Sequence, residues 1–255
     1  EYWDVRYREC HAAGVAGNVF EWFVEDLACV ARWAAGRATS SRGRQGRVLD
    51  LCCGDSGLPR ALAEHFQEVV ALDFSATVIE IMRAREPGVT YMCSDAAKLD
   101  LKSLGGEGSF DVVVAKAAFD VLVHEEDGLV GEQALAAAHG LLRMGGRLCV
   151  VSQIKPNCFY DRLLDVLRAE CPFSRRSVQQ WPGKGGKPVW LYELQKVDDA
   201  GRSDELYSAE ERARPAKGLQ KRAQKTSSAS EGGDGGESGA VCSHLKKRRV
   251  GNGKL

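Results

Sequence analysis

The stretch Val48-Leu49-Asp50-Leu51-Cys52-Cys53-Gly54-Asp55-Ser56-Gly57 constrains the fold of this chain more than any other. Apolar residues run into a Gly-punctuated turn, and a helix pattern follows at once through Leu58, Leu62 and Phe66, with Ala61 beside them. That is strand, turn, helix. Gly54 has no Cβ, so backbone there can approach a ligand closely. Asp55 or Ser56 is placed to cap the new helix. Nineteen positions after Gly54, the apolar run Val69 to Leu72 ends in Asp73. A carboxylate in that place can accept hydrogen bonds from both hydroxyls of a ribose. The loop alone also fits a tight turn in any α/β protein. With Asp73 it points to a nucleoside-bearing cofactor over the carboxyl ends of parallel strands.

The same unit then repeats. Val69 to Leu72 is a strand, Ser75 caps a helix with Val78, Ile79 and Met82 on one face, and Val89 to Cys93 is a third strand closing in Ser94-Asp95-Ala96. Phe110 to Ala115 is the most hydrophobic strand and runs into Lys116-Ala117-Ala118-Phe119-Asp120. A helix over Glu132 to Leu142 ends at Gly145-Gly146, and Arg147 to Val151 is the fifth strand. Such alternation predicts a parallel sheet with helices on both faces. Phe159, Leu163, Leu164 and Leu167 form the face of a further helix. Arg175 to Trp181 and Pro188 to Lys196, joined by a short Gly- and Lys-rich loop, predict a hairpin with one antiparallel strand.

The ends read differently. Glu1 to Tyr7 is dense in aromatics and charges, and a helix pattern runs from Asn18 through Phe20, Trp22, Phe23, Leu27, Val30 and Trp33. This is a helical lid, either packed on the domain edge or turning its aromatic faces to a cationic cofactor. Residues 36–46 are basic and rich in Ser and Gly, a surface connection into the first strand. From Asp198 large apolar side chains nearly vanish, and the stretch to Leu255 is expected to be a disordered tail. Its Lys246-Lys247-Arg248-Arg249 cluster is a solvated charge run, a nuclear import signal or a tether to nucleic acid. The domain therefore spans 1–197, with 1–46 as lid and linker, and the tail spans 198–255.

Formal net charge over the 255 residues is zero, so no global field steers the chain to nucleic acid or a membrane surface. No apolar run reaches the length of a membrane span. The nine cysteines are scattered, with no spacing of a zinc site or a disulfide framework, which fits a reducing cytoplasm or nucleus. The chain opens with Glu1, which leaves a targeting segment upstream open.

Two cofactor types compete for the loop. A dinucleotide wants N–H groups around a pyrophosphate. Here the fingerprint reads Cys52-x-Gly54-x-x-Gly57, without its first Gly and crowded by acids. S-adenosylmethionine needs a carboxylate for its ribose, an edge and two faces for its adenine, and partners for its ammonium and carboxylate. Asp73 suits the ribose diol. Asp95 suits the adenine amino group, with the Ala96 N–H beside it. Phe74 suits an adenine face, Gly54 the amino-acid end, and Asp50 the ammonium through water or the ordering of the loop.

Three motifs occur together: Glu-Tyr-Trp-Asp-x-Arg-Tyr at Glu1 to Tyr7, Phe-Glu-Trp-Phe at Phe20 to Phe23, and Leu-x-Cys-Gly-x-Ser at Leu51 to Ser56. With Asp73-Phe74-Ser75, the block Phe110 to Asp120 and the strand Val189 to Lys196, they resemble the methyltransferase-like 13 and elongation factor 1-alpha lysine methyltransferase 4 family over roughly the first 197 residues. The resemblance implies a Rossmann-like, doubly wound, mostly parallel seven-stranded sheet ending in an antiparallel hairpin. It also implies S-adenosylmethionine as cofactor and methylation of a lysine on translation elongation factor 1-alpha. By position it puts cofactor contacts on Trp3, Tyr7, Trp22, Cys52, Gly54, Asp73, Phe74, Asp95, Ala96 and Lys116. Asp120 is the nearest acid to orient the acceptor amine, or else a helix cap or salt-bridge partner. Cys52 stands where the family has Gly, Ala115 where it has an acid, and Ala117-Ala118 where it has Gly-Thr. A different protein or small-molecule acceptor, and a cofactor-binding scaffold without transfer, are the competing readings.

Overall fold

The structure is a computed structural model that describes residues 2–12, 21–38, 45–159 and 173–198. These lie within one compact unit, Glu1–Arg214. The helix expected beyond Phe159 and the tail from residue 199 lie outside the described residues.

Seven strands form one sheet in the order β3-β2-β1-β4-β5-β7-β6. They are β1 (Gln45–Leu51), β2 (Phe66–Asp73), β3 (Thr90–Cys93), β4 (Phe110–Lys116), β5 (Leu142–Ser152), β6 (Phe173–Pro182) and β7 (Pro188–Lys196). β1 to β5 pair in parallel, and β7 runs antiparallel between β5 and β6. The order reverses at β1, so the crevice for a ligand opens above β1 and β4 at their carboxyl ends. Because Ser152 pairs with Trp190, β7 enters the sheet at that same edge, and the hairpin turn lies there too.

Both faces are buried, which is why the central strands are almost continuously apolar. Leu49, Leu51, Val113, Ala115, Leu148 and Val150 point to one face, under α6 (Leu129–Leu141). Val48, Ala71, Val112, Val114 and Val151 point to the other. That second face is shared with Val30 and Trp33 of α2 (Leu27–Ala35), Leu58 and Leu62 of α3 (Leu58–Ala63) and Ile79 and Met82 of α4 (Ala76–Arg85). The two-residue period of a strand puts Asp50, Asp73 and Lys116 on this second face, each in step with its apolar neighbours.

Several boundaries differ from expectation. Phe66 opens β2 instead of closing the first helix, which stops after Ala63; it is buried either way, so spacing could not separate the two. Neither Asp55 nor Ser56 is the N-cap of α3. Gly57 is, although Ser56 Oγ accepts from the Leu58 N–H at 3.1 Å. Gly145-Gly146 does not end α6: the chain turns straight into β5 at Leu142, and the glycines sit inside the strand, Gly145 with a positive φ. The surface connection ends earlier, because β1 begins at Gln45.

The largest correction concerns the segment before α2. Of the helix pattern expected from Asn18, residues 18–20 lie outside the described residues, and the described part is helical from Leu27. Asp26 caps α2 by accepting from the Cys29 N–H, and residues 21–26 are not helical. Phe23 has φ 69°, and the Val24 N–H donates to the Trp22 carbonyl at 2.8 Å. That is a γ-turn of the rare, strained positive-φ kind. At the amino end, α1 (Tyr2–Ala12) packs on α4, and Asp4 accepts from the Ser75 hydroxyl at 2.7 Å.

Candidate active site

The turn after β1 is set by two residues with left-handed backbone, Cys52 (φ 59°) and Gly54 (φ 54°). The conformation is natural for glycine and strained for cysteine. A Cβ on Gly54 would come within 2.8 Å of the Tyr7 hydroxyl oxygen, so the glycine is what lets α1 close on the loop. Asp73 at the end of β2 organises the same turn. Its Oδ2 accepts from the Gly54 N–H and its Oδ1 from the Ser75 N–H, both at 3.0 Å. Each oxygen keeps a further lone pair, so ribose hydroxyls remain within its capacity. Burial raises the Asp73 carboxyl, while these two backbone donors pull it down.

Asp50 lies one level deeper. It is 1% exposed, and its Oδ2 has no hydrogen-bond partner among the described residues. Burial pushes its carboxyl up to about 7; Lys116 opposes that rise, and Glu21 and Asp73 add to it. An orphaned buried carboxylate oxygen beneath a cofactor loop suits an ammonium group, which would supply the missing donor and charge. The residues present therefore fit the amino-acid end of S-adenosylmethionine. Burial also raises the thiols of Cys52 and Cys53 well above their ordinary value, so both stay protonated and no thiolate faces an electrophilic methyl group.

Trp3, Tyr7 and Trp22 come together as a cluster. Trp3 stacks on Tyr7 at 6.2 Å between ring centroids and meets Trp22 edge-on at 6.1 Å, with the Arg6 guanidinium over Trp3 and Trp22. Tyr7 is buried, and burial with nearby Asp73 and Asp55 keeps its hydroxyl protonated. Phe74 is 45% exposed just after β2, free to cover a flat ring. Asp95 accepts from the Ala97 N–H at 2.9 Å and caps a short turn over Ala96–Lys98, so Ala96 is buried while the acid stays at the surface.

The Lys116 side chain is 4% exposed, and its ammonium lies 3.1 Å from the Glu21 carboxylate. Glu21, beside Trp22 and not singled out by the sequence, also accepts from the Gly57 N–H at 2.7 Å and the Ser56 hydroxyl at 2.9 Å. The available signal was its place in the Phe20 to Phe23 motif. Asp120 is not a helix cap. It sits inside α5 (Phe119–Leu122), whose N-cap is Ala118. One oxygen accepts from the Gln153 N–H at 2.9 Å, the other is buried without a hydrogen-bond partner among the described residues, and burial raises its carboxyl.

This sheet order, with a glycine turn, a following-strand carboxylate and an orphaned acid beneath, defines a Rossmann-like enzyme holding an adenosine-bearing cofactor. Residues 48–146 match the methyltransferase domain family. The chain is 33% identical over 136 residues to EEF1A lysine methyltransferase 4 of Bos taurus, covering 52% of this chain and 46% of that one. The match thus spans about half the length of that relative. With an uncharacterised methyltransferase of Mycobacterium bovis it shares 31% identity over 153 residues, 58% of this chain and 73% of the other. The solved 1,6-didemethyltoxoflavin-N1-methyltransferase of Burkholderia thailandensis shares the fold, with a TM-score of 0.52 at 20% identity over 76% of this chain and 87% of that one. The chain belongs to the S-adenosylmethionine-dependent methyltransferases, and S-adenosylmethionine is its cofactor. No described helix is long and apolar enough to cross a membrane.

Proposed function

We propose that this chain is a protein-lysine methyltransferase whose acceptor is translation elongation factor 1-alpha. The observation that carries this reading is the likeness to an enzyme named for lysine methylation of that factor. The half-paired Asp120 carboxylate, at the edge where the parallel strands end, is a second support. When bound, the cofactor supplies an electrophilic methyl group on a sulfonium.

The chain's own residues then have separable tasks. Asp73, Asp95 and Phe74 hold the nucleoside, and Asp50 holds the ammonium. Trp3, Tyr7 and Trp22 close over the loop and exclude water, which strengthens every electrostatic contact beneath. Asp120, fixed on one oxygen by Gln153, offers the other to the incoming amine. It aligns the nitrogen and takes a hydrogen bond from it, while desolvation favours the neutral amine that must attack. Positioning supplies most of the rate, because the methyl group is already activated. We place the protein in the cytoplasm, where a translation factor works.

The test is incubation with methyl-labelled cofactor, first with a whole-proteome lysate and then with purified elongation factor 1-alpha. The expected result is one labelled band at that factor, with label recovered on lysine. Label on a small molecule or on a different protein would refute the acceptor, and cofactor binding without any transfer would refute the enzyme.

A further inference from the structure

The Glu21 carboxylate gathers three partners from three parts of the chain: the Ser56 hydroxyl and Gly57 N–H of the cofactor loop, and the Lys116 ammonium at the end of β4. Lys116 is 4% exposed and Glu21 14%, so this ion pair is screened little by water. Residues 21–26, which open with Glu21, have no regular structure of their own. Two residues on, the chain makes the positive-φ γ-turn at Phe23, and the Phe23 carbonyl accepts from the Lys184 N–H of the β6–β7 hairpin at 2.7 Å. A strained turn persists only where its surroundings over-determine it. Here one anchor is the hairpin amide and the other is the Glu21 carboxylate.

We propose that Glu21 and Lys116 form a latch that holds residues 21–26, with Trp22, shut against the cofactor loop. Glu21 is a positioning residue: it acts on the cofactor through Trp22 and through the loop amide it fixes. Lys116 acts by charging the latch and not by touching the cofactor, because its ammonium is buried against Glu21. The loop is ordered from two sides, by Asp73 on Gly54 and by Glu21 on Gly57. Losing either acid should loosen a different half of the turn.

Local order and cofactor binding can be measured on the full chain without any acceptor. Hydrogen exchange of Glu21→Gln should show lost protection at Gly57 and across residues 21–26, with Val113 and Val150 in the sheet unchanged. Calorimetry with S-adenosylhomocysteine should show binding weakened about tenfold or more, in line with a lost charged hydrogen bond. Lys116→Met should lose the same protection, and the double variant should be no worse than the poorer single one, as expected for two halves of one device. Ser56→Ala, which removes one uncharged partner, should give a smaller loss confined to residues 21–26 and 56–58. This variant keeps the idea testable if a charge variant unfolds. Unchanged local protection in Glu21→Gln and Ser56→Ala would overturn the latch. So would a uniform loss across the sheet in Ser56→Ala, or effects of Glu21→Gln and Lys116→Met that simply add.

Discussion

Replacing Asp50 with asparagine should make the protein more stable without cofactor and a poorer binder of it. Burial lifts the Asp50 carboxyl from 3.8 to about 7. At about 1.4 kcal/mol per pH unit, keeping it ionised in the folded chain costs about 4 kcal/mol. An acid raised on folding holds its proton longer in the native state, so stability is highest below pH about 4, falls as pH rises to about 7, and is flat above. At pH 5 the unfolded chain has gained only about 2 kcal/mol from ionising, so this residue should cost about 2–3 kcal/mol more at pH 9 than at pH 5. The amide of the Asp50→Asn variant does not titrate and has no such slope. Urea unfolding of both proteins at pH 5 and pH 9 isolates the effect, because Asp73 and Asp120 titrate in both. Asp50→Asn should gain on the wild type between the two pH values by about 2–3 kcal/mol. The same charge is what an ammonium needs, so affinity for S-adenosylhomocysteine should rise with pH through about 7 in the wild type and be weak at all pH in the variant. Equal pH slopes, or a variant that binds like the wild type at pH 8, would refute the role given to the orphaned oxygen.

Trp3→Ala should weaken cofactor affinity more than it lowers the unfolding free energy, since Trp3 packs on Tyr7 and Trp22 at the edge and not in the sheet core; calorimetry and urea unfolding on the one variant show which loss dominates. Ala117→Gly should change stability by less than about 1 kcal/mol in either direction and leave cofactor binding intact, because relief of its φ of 62° offsets the added freedom of the unfolded chain; a Tm series with Cys52→Gly as the second variant measures it. Asp120→Asn should slow methyl transfer about a hundredfold with cofactor affinity unchanged, read as kcat against calorimetric Kd; equal loss of both would make Asp120 a structural acid.

Much of the sheet was legible in the sequence because its signals are local. Apolar runs of strand length, β2 closing in Asp73 and β4 in Lys116, give the parallel strands. The Ser75 cap reads directly from its place before Val78 and Ile79. The hairpin read correctly because two strand-like runs flank a short glycine loop. The misassigned segments are those where tertiary contacts override local pattern. Residues 21–26 continue a helical spacing, yet Glu21 and the Phe23 carbonyl are held by partners more than thirty positions away. Phe66 fits a helix face and a strand start equally well, and only the β1 pairing from Gln45 decides. Which way Lys116 points was not legible either, because its partner lies 95 positions earlier.

The charges around the loop explain why these long-range contacts exist. Asp50, Asp73, Lys116 and Glu21 meet on one face of the sheet, where burial penalises the Asp50 and Asp73 charges and only Lys116 is positive among the four. With Lys116 committed to Glu21, Asp50 is left raised and half-satisfied. With that pair made, Asp50 and Asp73 leave the set with two uncompensated negative charges, and that excess is a reason to bind a sulfonium and an ammonium in preference to a pyrophosphate. A dinucleotide would bring two more negative charges to a place that already holds too many. We expect selectivity for S-adenosylmethionine over a nicotinamide cofactor to rest on the half-satisfied acid beneath the loop, so that Asp50→Asn should narrow the preference as well as weaken binding.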